Sequence, residues 1–113
     1  MTPVEITFRS MEPSPAVEDT VRTWVQRLAH SFKHILRCAV VIEQPHQHSH
    51  QGKTFQVHVY VTIPERTIAV TRDPGIDHAH EDVYVAISDA FRAARRILQD
   101  ESQIRRGEVK LHA

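Results

Sequence analysis

Between Thr54 and Ile63 the chain alternates without a break. Phe55, Val57, Val59, Val61 and Ile63 fall on one side, and Gln56, His58, Tyr60 and Thr62 on the other. A period of two is that of a β-strand, and alternation this strict predicts one buried face and one wet or lightly covered face. Val4–Phe8 repeats the pattern over a shorter span and predicts a first strand. Ile35–Glu43, rich in β-branched residues, predicts a second. Pro64-Glu65-Arg66 is a short turn, so Thr67–Arg72 is predicted to return antiparallel to the long strand and to end at Asp73-Pro74-Gly75.

Elsewhere the apolar period lengthens to that of a helix. Val17, Val21, Trp24, Val25, Leu28 and Phe32 form one stripe behind Pro13-Ser14-Pro15. Ser14 is suited to accept a hydrogen bond from an unpaired N–H of the first turn, and Pro15 has no N–H to leave unpaired. Arg22, Gln26, Arg27 and, near the end, Lys33 occupy the opposite face. Val83, Ala86, Ile87, Ala90, Phe91, Ala94 and Leu98 form a second stripe, predicting a helix from His80 or Glu81 to Gln99. Glu81 and Asp82 favour its positively polarised start. Beyond Gln99 the pattern frays through Asp100 and Glu101 into a polar tail.

The order β-α-β-β-β-α, with one apolar stripe per helix and one apolar sheet face, predicts an α+β fold in two layers. A four-stranded mixed sheet carries both helices packed on one face. The first two strands, joined by a helix, are expected to run parallel through a right-handed crossover, with the remaining strands in a meander. A length of 113 residues suits one domain. It is placed at residues 1–104, with 105–113 as a flexible polar tail; no repeat or second domain is visible.

Composition narrows the function. Acids and bases number 14 each, so any contact with nucleic acid has to come from a local patch rather than from overall charge. No apolar run approaches the ~20 residues of a membrane-spanning helix. The N-terminus has neither a basic head nor an apolar signal core. The single Cys38 cannot form an internal disulfide and lies in an apolar run, as a core filler would. Together these predict a cytoplasmic protein that does not engage a membrane. With only three glycines there is no glycine-rich phosphate loop. His58 has no carboxylate partner in view, and Tyr84 suits half-buried packing. No catalytic residue, cofactor or small-molecule substrate is therefore expected.

Histidine is over-represented, and five of the nine lie in two loops, His46, His48 and His50 in one, His78 and His80 in the other. The predicted topology places both loops at one end of the sheet. Three imidazoles there could meet Zn²⁺ or Ni²⁺, but His-X-His in a polar loop lacks the spacing of zinc sites, and no resident metal is expected. The other reading is acid sensing. Imidazoles gain charge near pH ~6.5, which predicts tighter phosphate binding at about pH 6 than at about pH 8.

The basic residues are gathered. Arg92, Arg95 and Arg96 sit three and four apart on the second helix, where side chains are neighbours. Such a cluster is either a solvated helix face or a contact surface for a polyanion. Arg22 and Arg27 could instead pair with Glu18 or Asp19 one turn away. Arg105 and Arg106 extend the basic character into the tail.

Two helix-opening segments carry a resemblance. MEPSPAV (Met11–Val17) and EDVYVAI (Glu81–Ile87), with gapless spacing from Met11 to Ile35, resemble the ribosome hibernation-promoting factors and ribosome-associated inhibitors. The likeness extends from about Val4 to Gln99. It implies a binder of the small ribosomal subunit that occupies the decoding region and excludes mRNA and tRNA during stress, with basic helix residues contacting rRNA. Arg27 and Arg96 fall where the family pattern places a lysine or arginine; Arg22, Lys33, Arg92 and Arg95 are basic without so firm a match. These six form the expected RNA-binding set. The sequence departs from the pattern at Trp24, Ala93 and Asp100, where several members carry lysine, and at Glu18, where a base is common. Asp100 and Glu101 also place negative charge behind the arginine cluster. The tail RRGEVKLHA resembles the linker of longer relatives that continue into a cold-shock-like domain. The alternative function is a protein-interaction module with little rRNA affinity, docking a partner or a second copy through the exposed sheet face or an edge strand.

Overall fold

The computed structural model describes residues 2–45, 54–72 and 82–105. The elements are β1 (Val4–Arg9), α1 (Pro15–Ser31), β2 (Arg37–Glu43), β3 (Gln56–Ile63), β4 (Arg66–Arg72) and α2 (Val83–Arg105). The sheet runs β1-β2-β3-β4, with β1 and β2 parallel and the other neighbours antiparallel. Register sends the apolar positions to one face: Val40 stands opposite Ile6 and Val59, and Val59 opposite Val70. On that face Val40, Val57, Val59 and Val61 are fully buried. α1 covers β1 and α2 covers β3 and β4, and the two helices touch each other. Val21, Val25, Ala90 and Phe91 close the same core. This is the two-layer α+β arrangement the alternation predicts. Each buried valine, isoleucine or phenylalanine contributes about 1.5–3 kcal/mol.

The start of α1 follows its sequence signal. Ser14 keeps an extended backbone and its Oγ accepts from the Val17 N–H at 3.3 Å, with Pro15 as the first helical residue. Replacing Ser14 by alanine is expected to cost about 1 kcal/mol. Urea melts should show that loss as a lower midpoint at unchanged slope. α1 ends where the Phe32 N–H reaches the Leu28 carbonyl at 2.9 Å. Between β3 and β4, Ile63 pairs with Arg66 across Pro64 and Glu65. Glu65 there holds φ at 75°, in the left-handed region that glycine enters most easily.

Several boundaries differ from expectation: β1 runs one residue longer, to Arg9, and β4 starts one residue earlier, at Arg66. β2 begins at Arg37, because the Ile35 N–H closes a turn onto the Phe32 carbonyl and Leu36 makes the first bond to β3, at Thr62. β3 begins at Gln56, which pairs with Glu43, the last residue of β2. α2 begins at Val83 behind Asp82, whose Oδ1 accepts from the Tyr84 N–H at 2.9 Å. It then continues past Gln99 to Arg105. The added turns carry Glu101, whose Oε1 lies 3.0 Å from Nε2 of His34 in the connection after α1. The histidines at 46, 48, 50, 78 and 80, and the tail after residue 105, lie outside the described residues.

Cys38 is buried in the core, and burial pushes its thiol from 9.0 up to about 11. The unfolded chain releases this proton from about pH 9, the folded one only near 11. The thiol's contribution to stability is therefore complete below that window and is lost as the pH rises through it. At neutral pH the native thiol is expected to resist iodoacetamide and to react at the ordinary rate once urea unfolds the chain. Fast labelling of the native protein would contradict this placement.

Candidate nucleic-acid interface

The two helices are fastened by an aromatic pair. Trp24 of α1 and Phe91 of α2 stack with centroids 5.7 Å apart and planes 13° from parallel. Such a pair adds roughly 0.5–1.5 kcal/mol to its burial. Ala93 is also buried, at 4% exposure. Two of the positions at which the sequence departs from the pattern it resembles are thus packing positions here.

With the seam closed, α1 presents Arg22, Thr23, Gln26, Arg27 and His30 outward, and Arg95 reaches towards them from α2. Arg95 Nη2 donates to Ser31 Oγ at 3.3 Å, and its guanidinium carbon lies 5.9 Å from the centre of the Phe32 ring. A cation over an aromatic face is held electrostatically as well as sterically. Gln26 is also held, its Nε2 donating to the Thr2 carbonyl at 3.3 Å. These side chains, with Pro3 and Val4 at the start of β1, line an open cavity of about 930 Å³. It takes in three guanidiniums and an imidazole, and among the described residues no carboxylate lines it.

The six expected RNA-binding residues are all exposed, but they do not form one cluster. Arg22, Arg27 and Arg95 line this cavity. Lys33 lines a neighbouring one of about 670 Å³, together with Ser31, His34 and Asp100. Arg92 and Arg96 belong to neither and stand on the outer face of α2. Arg22 is engaged with Glu18 at 3.9 Å. With half the arginine side chain exposed, such a pair is worth a few tenths of a kcal/mol. Among the described residues Arg27, Lys33, Arg92 and Arg96 form no ion pair.

Gln26 was placed on the polar face from sequence, whereas Thr23, His30 and Ser31 were not singled out. Helical spacing from Arg27 would have found them, whereas the reach of Arg95 depends on how the helices pack. Glu101, behind the arginines, is engaged with His34, its Oε1 3.0 Å from Nε2. Two other sequence readings change. Tyr84 is exposed at 44% rather than half-buried. His58 does have a carboxylate partner: Glu43 Oε1 lies 3.7 Å from Nε2, while Nδ1 lies 3.1 Å from Thr71 Oγ1. The cross-strand register brings these residues together on the open face of the sheet. Among the described residues no group of three or more histidines, cysteines or acids is placed to hold a metal. No described helix is long and apolar enough to cross a membrane.

A ribosomal subunit interface protein from Coxiella burnetii has a similar structure, with a TM-score of 0.70 at 15% identity, covering 89% of this chain and 98% of that one. The N-terminal domain of Protein Y from Thermus thermophilus matches with a TM-score of 0.69 at 22% identity, covering 88% and 98%. At these identities the likeness establishes the fold. Among curated proteins none matches this chain in sequence. The profile of the family described as Sigma 54 modulation protein / S30EA ribosomal protein matches residues 4–106. With nearly the whole chain matched, the protein belongs to that family, the one its helix-opening segments resemble.

Proposed function

We propose that the protein binds the small ribosomal subunit, sets the basic faces of α1 and α2 against rRNA in the decoding region, and silences translation by occupying space that mRNA and tRNA need. The observation that supports this most is the convergence of Arg22, Arg27 and Arg95, from two helices, on one cavity that no carboxylate lines among the described residues. Phosphate oxygens suit that array, because a guanidinium pairs them bidentately and stays charged throughout. Lys33, Arg92 and Arg96 extend the surface on either side. Family membership supports the ribosome as partner, and the Coxiella burnetii neighbour is described as a ribosomal subunit interface protein. The action is one of occupancy rather than catalysis, in the cytoplasm where ribosomes work.

Among the described residues the open sheet face offers no comparable gathering of like charge. Glu5, Arg9, Arg37 and Glu43 mix both signs there. Docking through that face is the competing reading, and competition separates the two. Excess protein is expected to prevent small subunits from retaining a short model mRNA and initiator tRNA. Retention of both at saturating protein would place binding elsewhere.

A further inference from the structure

The cavity beside Arg27 has more shape than contact with an RNA backbone requires. Its volume of about 930 Å³ is that of a pocket for a small organic ligand. Its two sides differ in chemistry: Pro3 and Val4 form an apolar floor, and Arg22, Arg27 and Arg95 a cationic rim. Two of its polar groups are held before anything binds, Arg95 by Ser31 and Phe32 and Gln26 by the Thr2 carbonyl. Side chains already in place lose less freedom when a ligand arrives.

From this we infer a binding site for one nucleoside polyphosphate. The base lies on the Pro3–Val4 floor, where the Gln26 amide is placed to hydrogen-bond its edge and a guanidinium plane can stack on it. The phosphates take the arginine rim. A nucleotide within an RNA strand and a free nucleoside triphosphate offer the same chemistry, so a free nucleotide occupies the groove in competition with RNA. The protein's grip on RNA then weakens as nucleotide rises. The inference rests on reading this groove as an RNA contact, and it adds a soluble ligand to it.

The test is a titration of the ¹⁵N-labelled full chain, followed by amide shifts, with ATP, inorganic triphosphate and a short single-stranded RNA. ATP is expected to give saturable shifts at Thr23, Gln26, Arg27 and His30. Inorganic triphosphate, which leaves the apolar floor uncovered, should bind about 5-fold more weakly. Arg95→Gln should weaken ATP about 10-fold, as loss of a charged hydrogen bond does. Thr23→Glu, an exposed change at the rim, should do at least as much. RNA that shifts these amides while ATP does not would overturn the nucleotide site and leave the RNA contact standing. Silence with both would overturn the two together. Triphosphate binding as tightly as ATP would overturn the nucleoside part, and ATP shifts confined to the Arg92–Arg96 face would overturn the location.

Discussion

Replacing Arg27 and Arg95 together by glutamate is expected to reduce affinity for the small subunit by at least about 100-fold at low salt. Each guanidinium lost from a phosphate forfeits a charged hydrogen bond worth roughly 1.5–3 kcal/mol, and each carboxylate gained adds repulsion. Both side chains are exposed, so the fold should survive. Circular dichroism and the melting temperature check that directly. Removing two phosphate contacts should also reduce the slope of log affinity against log salt by about 1.5. Arg92→Glu with Arg96→Glu asks the same of the outer face of α2. An unchanged affinity in the first pair would remove the groove from the interface, whatever the second pair does.

The second large effect is on stability. Phe91 is exposed at only 1%, among the largest fully buried side chains, and it stacks on Trp24. Phe91→Ala is expected to cost about 3–5 kcal/mol through lost transfer energy and a residual cavity. Against a total of roughly 5–15 kcal/mol that is a large share. In a domain of this size it should reduce the melting temperature by about 15 °C or more. The loss reaches the binding surface as well, because the Trp24–Phe91 pair keeps the α2 arginines beside α1. Where the variant still folds, its affinity for RNA should fall although no basic residue has changed. Tm within about 3 °C of the wild type would show that α1 and α2 are fastened by other contacts.

What could be read from the sequence was whatever depends on near neighbours. The alternation through Val57, Val59 and Val61 announced β3 and its buried face, because a strand repeats every second residue. The Ser14-Pro15 pair announced the start of α1, because capping is a matter of three residues. Trp24 was read as part of an apolar stripe, but not as the partner of Phe91. What escaped depends on residues far apart in the chain. Glu101 and His34 are 67 positions apart, and they meet on the turns by which α2 outlasts its own apolar pattern. His58 found Glu43 through the register of β2 on β3, which a loop between them leaves open. The arginines divided for the same reason. Spacing along α2 placed Arg92, Arg95 and Arg96 together, whereas packing against α1 drew Arg95 to Ser31 and Phe32. The site belongs to the seam between two helices, and a seam has no sequence period.

The most direct measurement is co-sedimentation of the purified protein with isolated small ribosomal subunits at two salt concentrations. Six phosphate contacts would weaken binding about 200-fold between about 100 and about 300 mM salt. The protein should therefore travel with the subunits at the lower salt and stay in the supernatant at the higher. Co-sedimentation unchanged by salt, or absent at both concentrations, would contradict an interface built on arginine and phosphate.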